Sequence, residues 1–203
     1  QKLKEGDSIT QQVQATNKTE LLFFTDRAQV YKTRASAFED SKASLLGDYI
    51  PAKLGFDENE HVAAMICTTD YFGTLLFVFE NGKIAKVPLS AYATKTNRRK
   101  LTGACSDKSA LVQMFHLTEE TDILLRSSGN RAVLVSTEEI AEKTTRSTQG
   151  VQVMTLKAKQ VVVSAEIPEG EFLSIVQSFR VRTIPAAGKL AKNLEEANQM
   201  ELL

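Results

Sequence analysis

Three stretches of the chain share one pattern of apolar and polar positions. Each begins with an apolar run, breaks at a short polar segment, and resumes with alternating apolar and polar residues. This pattern is typical of a β-hairpin, because alternate residues of a strand point to opposite faces of a sheet. The breaks align at Ala28, Gly82 and Asn130, which gives a spacing of about 50 residues. The sequence therefore predicts three hairpins, at residues 21–32, 75–86 and 123–134.

Glycines recur in phase with these hairpins. Gly82 follows Asn81 in the second break, and an Asn-Gly pair favours a type I′ turn, in which both central residues have positive φ. Three further glycines, Gly47, Gly103 and Gly150, each follow a hairpin break by about 20 residues. Two landmarks with the same period indicate stacked or radial repeats.

The segments after these glycines complete the predicted secondary structure. Short apolar strands are predicted at residues 48–50, 104–105 and 151–156, and a further strand-rich segment at residues 172–182. We therefore expect an all-β domain of three to four repeats over residues 1–189. Residues 190–203 are rich in Ala, Leu, Lys, Glu, Asn and Gln, and we expect them to form a short helix or a loosely ordered tail.

Composition is typical of a globular chain. The 203 residues are 42% apolar and 25% charged, which is enough to form a substantial core. No apolar run approaches the roughly 20 residues that cross a bilayer, and the first residues lack the apolar core of a signal peptide. We therefore expect a cytoplasmic location. Cys67 and Cys105 are too few for a disulfide framework and are expected to be buried, reduced thiols.

The net charge is zero, but charge is unevenly distributed along the chain. Residues 81–106 contain six basic residues and no carboxylate, and residues 143–164 contain four basic residues and no carboxylate. A smaller basic segment holds Arg27, Lys32 and Arg34. Taken singly, each segment is typical of a solvated surface. Recurrence in phase with the repeat instead favours an electrostatic track for a polyanion.

Other chemistry finds little support in the sequence. His61 and His116 have no Cys or carboxylate at ligand spacing, so no metal site is predicted. The pairs Glu119-Glu120 and Glu138-Glu139 have no accompanying nucleophile and fit solvated turns better than an acid/base site. We therefore expect no catalytic residues and no cofactor in this chain.

The repeats, the segment Asn97-Arg98-Arg99-Lys100-Leu101-Thr102-Gly103 and the segment Thr144–Leu156 resemble one family. This family is the C-terminal domain of the A subunit of bacterial type IIA topoisomerases, DNA gyrase and topoisomerase IV. The more specific part is the Arg-x-x-x-Gly-Val pattern, here Arg146 to Val151. The resemblance implies a β-pinwheel, a propeller-like disc of strand-swapped blades that bends and wraps DNA on a basic rim. It also implies an ATP-dependent parent enzyme whose DNA-cleaving tyrosine lies in a region absent from this chain.

One departure from the family pattern bears on how DNA is wrapped. The gyrase members of the family carry a box of the form Q-R-R-G-G-K-G, which chiral wrapping requires. Lys100 and Leu101 stand here where the central Gly-Gly pair would be, and glycine permits a close backbone approach that leucine resists. By resemblance the chain is nearer to the topoisomerase IV type, and we expect DNA bending without a strongly handed wrap.

From the resemblance and the charge pattern together we expect contacts to duplex phosphates. The primary predicted contacts are Arg98, Arg99, Lys100, Lys143 and Arg146, and the secondary ones are Lys42, Lys83, Lys86, Lys95 and Arg131. The expected partners are double-stranded DNA, the remainder of the A subunit, and the ATPase B subunit. The alternative is a propeller-like protein-interaction module with no direct role in DNA binding, in which the basic segments only solubilise the chain.

Overall fold

The computed structural model describes residues 8–42, 45–95, 99–191 and 194. Two compact units are present, one formed by residues 1–71 and 94–104 and the other by residues 72–93 and 105–203. None of the helices in the described ranges is long and apolar enough to span a bilayer.

The described secondary structure is mainly β. The strands are β1 (Glu20–Thr25), β2 (Val30–Arg34), β3 (Val62–Thr68), β4 (Thr74–Phe79), β5 (Lys83–Pro88), β6 (Lys100–Leu101), β7 (Leu111–Leu117), β8 (Asp122–Ser127), β9 (Arg131–Ser136), β10 (Val151–Gln152), β11 (Val162–Glu166) and β12 (Lys189–Leu190). The α-helices are α1 (Ile50–Leu54) and α2 (Gly170–Val176), and short 3-10 helices follow β2, β5, β9 and α2.

These strands form three four-stranded antiparallel sheets. The first sheet lies in the first unit and has the order β3-β1-β2-β6. The second unit holds the second sheet, β10-β5-β4-β7, and the third sheet, β11-β8-β9-β12. Each sheet thus has a predicted hairpin at its centre, and the three hairpins predicted from the sequence are confirmed.

The fourth strand of each sheet comes from a distant part of the chain. β6 follows the second hairpin but pairs with β2 of the first, and β10 follows the third hairpin but pairs with β5 of the second. β12 completes the third sheet by pairing with β9. The sheets are therefore linked by exchanged strands.

The hairpin turns share one conformation. Ala28, Gly82 and Asn130 all have positive φ, at 53°, 82° and 60°, which confirms the alignment of the three breaks. The N–H of each donates to the carbonyl oxygen three residues earlier. Asn81 is not among the residues with positive φ, so the expected type I′ turn is wrong. One left-handed residue after a turn of this kind is the three-residue hairpin loop with a bulge.

Apolar faces of the second and third sheets pack together within the second unit. Fully buried residues of β4, β8 and β9, among them Leu76, Ile123 and Val133, share one core with Val153 and Met154 beside β10. A smaller core on the other side of the third sheet includes Phe172 and Val176 of α2. The packing of α2 against the third sheet therefore buries the residues that the sequence placed in a strand.

Three predicted strands are corrected by the structure. Residues 172–182 begin in α2, because Phe172 and Val176 are four positions apart and share one buried helical face. Residues 48–50 lead into α1, where Pro51 occupies the first turn of the helix. Residues 104–105 are turn, and the strand lies before Gly103 as β6. The expected strand at 151–156 is confirmed in part as β10.

The predicted tail begins within the third sheet rather than beyond it. Leu190 belongs to β12, and the N–H of Ala191 donates to the carbonyl oxygen of Asn130. Leu194 is 2% exposed and joins the core around α2. Residues 192–193 and 195–203, which carry the tail carboxylates, lie outside the described residues.

Candidate nucleic-acid interface

A cleft of about 450 Å³ in the first unit has basic and uncharged side chains in its lining. It lies beside the end of β2 and receives four cationic residues, Lys32, Arg34, Lys53 and Arg99. The acidic residue in its lining is Glu20, whose carboxylate accepts a hydrogen bond from the Tyr71 hydroxyl. We refer to this feature as the basic cleft. Its charge is strongly positive, which suits an anionic ligand.

Separate elements bring these four side chains together. Lys32 and Arg34 are two apart on β2, so strand alternation places them on the same side. Arg99 precedes β6, and its carbonyl oxygen accepts the Lys32 N–H at 2.7 Å. Lys53 comes from α1, where its Nζ lies 3.0 Å from Asp48 and 4.9 Å from the Phe38 ring. The exchanged strand β6 is therefore what places Arg99 beside β2.

The ammonium group of Lys32 is held in position by neighbouring side chains. Its Nζ donates to Thr94 Oγ1 at 3.1 Å and lies 5.3 Å from the centre of the Tyr71 ring. A cation over an aromatic ring keeps its charge while losing some freedom of movement. Arg34 and Arg99, by contrast, are exposed, and no described side chain forms an ion pair with either guanidinium group. These two arginines are the more available cations of the basic cleft.

Lys100 is partly neutralised within the first unit. Its Nζ lies 3.1 Å from Asp57 Oδ2 and 5.3 Å from the centre of the Tyr31 ring. Hydrogen bonding to Asp57 and then to Tyr31 raises the pKa of Lys100 above its ordinary value. The pKa of Asp57 is correspondingly lowered, by hydrogen bonds from Gln29 and Lys100. A phosphate would have to compete with Asp57 for this ammonium group.

A buried carboxylate lies beneath this pair. Glu60 is 3% exposed, and it accepts hydrogen bonds from Thr25 Oγ1, Gln29 Nε2 and Tyr31 Oη at 2.6, 2.8 and 2.5 Å. Burial alone would raise the pKa of Glu60, but hydrogen bonds from Thr25, Tyr31 and the Asp57 N–H hold it below its ordinary value. This network fixes Tyr31 and Asp57, and through them the position of Lys100.

Lys86 is placed where a phosphate cannot reach it. The residue is 5% exposed, its Nζ forms an ion pair with Glu120, and it donates to the carbonyl oxygen of Thr137 at 3.2 Å. A buried ammonium group that is already paired is unavailable for a phosphate contact. Lys86 is therefore not part of the proposed interface. Its buried ion pair with Glu120 gives it a structural role.

Arg146 also packs against the protein. Its Nη1 donates to the carbonyl oxygen of Ala91 at 3.1 Å, and its Nε is buried without a described partner. Four residues later, Gly150 lies so close to β5 that a Cβ would overlap the carbonyl oxygen of Ile84. Val151 then pairs with Ile84. The Arg-x-x-x-Gly-Val pattern is thus explained as the docking of an exchanged strand.

The other predicted contacts differ in their surroundings. Lys42, Lys95 and Lys143 are exposed, and no ion pair is found for them within the described ranges. Lys83 Nζ donates to Gln149 Oε1 at 3.2 Å, and Arg131 Nη1 donates to the carbonyl oxygen of Gly188 at 2.6 Å. Arg98 lies outside the described residues. Arg99, Lys95 and Lys100 belong to the first unit, and Lys83, Arg131, Lys143 and Arg146 to the second.

Comparisons with known proteins agree with this fold. A family model for the DNA gyrase C-terminal domain, beta-propeller, matches residues 19–44 and 121–169. The A subunit of DNA gyrase from Metamycoplasma arthritidis (strain 158L3-1) is 26% identical over 217 residues, covering 98% of this chain and 24% of that protein. The corresponding gyrase protein of Mycoplasma pneumoniae (strain ATCC 29342 / M129 / Subtype 1) is 28% identical over 148 residues, covering 71% of this chain and 17% of that protein. The chain thus spans about a quarter or less of the length of these curated relatives.

Solved structures of similar fold are also found. The C-terminal domain of DNA topoisomerase IV superposes with a TM-score of 0.67 and 25% identity, covering 76% of this chain and 48% of that one. The E. coli ParC C-terminal domain superposes with a TM-score of 0.71 and 12% identity, covering 93% of this chain and 83% of that one. The chain is similar in sequence and fold to the C-terminal domain of the type IIA topoisomerase A subunit. The resemblance inferred from the sequence and the β-pinwheel fold class are both confirmed.

The segment that resembles the gyrase box contributes a strand to the first sheet. Lys100 and Leu101, which the sequence resemblance aligns with the central glycine pair of the gyrase box, form β6 and pair with Tyr31 and Val30 of β2. Leu101 is buried in the first sheet. The exchanged strand β6 therefore lies where the sequence resemblance places the glycine pair, and residues 96–98 before it lie outside the described residues.

The phosphate contacts predicted from the sequence omit three members of the basic cleft. Lys32 and Arg34 belong to a recognised basic segment, and their alternation on a predicted strand was the available signal. Lys53 belongs to no basic segment and to no predicted strand. Only the turn of the chain into α1 brings it beside β2. Lys32 and Lys86 also lie at the same position of the repeat, four residues after the aligned break. Only their three-dimensional surroundings distinguish Lys32, which lines the basic cleft, from Lys86, which is buried beside Glu120.

Proposed function

We propose that this chain is a DNA-binding and DNA-bending domain of an ATP-dependent type II topoisomerase A subunit. The observation that carries the proposal is the basic cleft, in which four cationic residues and one hydrogen-bonded carboxylate surround a cavity of about 450 Å³. The fold relationship supports the same function, since the relatives are named as the A subunit of DNA gyrase and as DNA topoisomerase IV.

The proposed ligand is the sugar-phosphate backbone of duplex DNA. Arg34 and Arg99 offer planar guanidinium groups, which suit phosphate oxygens, and Lys32 adds point charge. Lys53 is paired with Asp48, so a phosphate would have to compete with that carboxylate. Phosphate contacts position a duplex without reading its sequence, so binding is expected to be largely independent of sequence.

Outside the cleft, the exposed lysines Lys42, Lys95 and Lys143 are proposed as secondary phosphate contacts. Arg146 and Lys86 are left out, because the first packs against Ala91 and the second is buried with Glu120. The proposed protein partners are the remaining part of the A subunit, together with the ATPase B subunit. They would supply the DNA cleavage and the ATP hydrolysis.

The salt dependence of duplex binding tests this function. A fluorescein-labelled duplex of random sequence is titrated with the chain between about 50 and 200 mM salt, and anisotropy gives the affinity. Neutralising several phosphates releases counterions, so the logarithm of affinity should fall with the logarithm of salt at about 0.9 per contact. Absence of salt-dependent binding would contradict the proposal and favour the alternative, a protein-interaction module.

The altered box leads to a second expectation about the bound state. Because β6 occupies the position of the glycine pair, we expect bending without a strongly handed wrap. A plasmid relaxed by a nicking-closing enzyme in the presence of the chain should show little change in linking number. A large change of one sign would contradict this part of the proposal while leaving DNA binding itself in place.

A further inference from the structure

The turns that precede β3 and β11 have the same backbone geometry. At residues 57–60 the N–H of Glu60 donates to the carbonyl oxygen of Asp57 at 3.2 Å, and at residues 157–160 Gln160 donates to Lys157 at 3.0 Å. The third residue of each turn, Asn59 or Lys159, is left-handed, with φ of 57° and 64°. The side chains of Glu60 and Gln160 also accept the N–H of Asp57 and Lys157, respectively. We refer to residues 57–60 as the first turn and residues 157–160 as the third turn.

Both turns lie over the hairpin break of their own sheet. After the first turn, the His61 N–H donates to Asp26 Oδ1 at 2.9 Å, and the Asp26 N–H donates back to the His61 carbonyl oxygen. After the third turn, the Val161 N–H donates to Ser128 Oγ at 3.0 Å, and the Ser128 N–H donates back to the Val161 carbonyl oxygen. Asp26 and Ser128 are each two residues before an aligned break residue. The two turns therefore occupy equivalent positions in the first and third sheets.

The charges of these equivalent turns are opposite. The first turn contains the three carboxylates Asp57, Glu58 and Glu60, whereas the third contains the two ammonium groups Lys157 and Lys159 and no carboxylate. Asp57 is paired with Lys100 and Glu60 is buried, which leaves Glu58 as an exposed acid of the first turn. Lys157 and Lys159 are both exposed, and no side chain in the described part of the structure pairs with either.

The opposite ends of the same sheets show the reverse distribution. In the first sheet the basic cleft lies at the far end of β2, where Arg34 is the last strand residue. In the third sheet the far end of β9 carries the exposed acids Glu138 and Glu139, and Asp122 there is paired with Arg180. Each sheet thus has one end where basic residues predominate and one end rich in carboxylates, and the order is inverted between the first and the third. The carboxylate-rich end of the first sheet also carries Arg27 and Lys100.

We propose that the third sheet binds duplex phosphates through Lys157 and Lys159, at the end of the sheet that in the first sheet carries the exposed acid Glu58. This inference rests on the proposed function and adds a second contact region to it. Two unpaired ammonium groups on a rigid turn can meet successive phosphates without first breaking an internal ion pair. Glu58, at the equivalent turn, instead adds like-charge repulsion toward a duplex.

The double variant Lys157→Gln/Lys159→Asn tests this contact by the same anisotropy titration. Asn is chosen at position 159 because Asn59 holds the same left-handed conformation in the first turn. The expected result is weaker binding, with the salt slope reduced by about 0.9 for each phosphate that the variant no longer neutralises. Lys108→Gln is the matched control, since Lys108 precedes β7 in the corresponding loop but lies 3.7 Å from Asp107, and it should leave the slope unchanged.

The outcomes separate the inference from the proposed function. If the unaltered chain binds with a steep slope and the double variant, still folded by circular dichroism, binds identically, the third-turn contact is wrong. If the unaltered chain itself shows no salt-dependent binding, the proposed function fails. Glu58→Gln should tighten binding at low salt and lose this effect as salt screens the charge. Unchanged affinity for Glu58→Gln at every salt concentration would contradict the repulsion assigned to the first turn.

Discussion

Gly150 lies against the carbonyl oxygen of Ile84 so closely that a Cβ at this position would overlap it. Gly188 has the same relationship to the carbonyl oxygen of Ala132 in the third sheet. Ile84 and Ala132 are each two residues after an aligned break, and both glycines immediately precede an exchanged strand. Glycine is therefore required at positions 150 and 188, where a strand from a later part of the chain reaches its hairpin. Gly47, by contrast, has no atom within 4 Å of an added Cβ, and Gly103 follows β6.

The substitution Gly150→Ala should destabilise the second unit strongly. The new Cβ would meet backbone atoms of β5, and φ at this position is 74°, which disfavours any residue with a Cβ. We expect a loss of more than about 2 kcal/mol in the free energy of unfolding. Gly55→Ala is the control, because φ is 68° but no atom lies within 4 Å of the added Cβ. It should cost only about 1 kcal/mol. Equal losses, measured by urea unfolding, would contradict the strand-docking role.

Because Lys86 is buried and Glu120 is partly exposed, we expect substitutions of the two residues to lower the free energy of unfolding by different amounts. Glu120→Gln leaves a buried ammonium group without its counter-charge, and we expect a loss of about 2 kcal/mol. Lys86→Met removes the buried charge itself and leaves Glu120, which is partly exposed, to water, so the loss should be smaller. Lys86→Met should also leave the salt slope of duplex binding unchanged. A slope reduced by this variant would show that Lys86 does reach DNA.

Because the buried Glu60 carboxylate has a lowered pKa, we expect the stability of the chain to depend on pH in the acid range. Its pKa is lowered in the folded state, so its contribution to stability is present above the ordinary pKa of about 4.3 and is lost as pH falls through the folded value. At pH 7 we expect Glu60→Gln to be less stable than the unaltered chain, because three buried donors lose a carboxylate acceptor. The difference should shrink below about pH 4.3 in urea unfolding series. A difference that stays constant from pH 7 to pH 3 would contradict the role of this carboxylate.

The sequence predicts the hairpins well because their signals are local. The apolar runs of β1, β4 and β8 and the breaks at Ala28, Gly82 and Asn130 lie within a few residues of the contacts they specify. The exchanged strands are harder to predict. β6 and β10 contain two residues each, too few to show any periodicity, and their partners lie in an earlier hairpin. The repeat period indicates that such segments exist but not with which strand they pair.

The predicted site likewise combines features that are local in the sequence with features that depend on long-range contacts. Basic segments are visible in the sequence, but the sequence does not show which lysines are open to solvent. Lys32 and Lys86 hold one position of the repeat, but Lys32 lines the basic cleft whereas Lys86 is buried beside Glu120. Arg146 resembled a phosphate ligand because it belongs to a basic segment in phase with the repeat. In the structure its motif orders an exchanged strand against β5.

The most direct test of phosphate binding in the basic cleft is the salt slope of the double variant Arg34→Gln/Arg99→Gln. Both arginines are exposed in the cleft without an ion pair among the described residues, so their removal should leave the fold intact. Lys18→Gln, an exposed lysine of the same unit outside the cleft, is the control. We predict that the double variant binds duplex more weakly, with a slope shallower by about 0.9 for each phosphate no longer neutralised, while the control matches the unaltered chain. The same slope for the double variant and the unaltered chain would contradict the assignment of the basic cleft as a DNA contact.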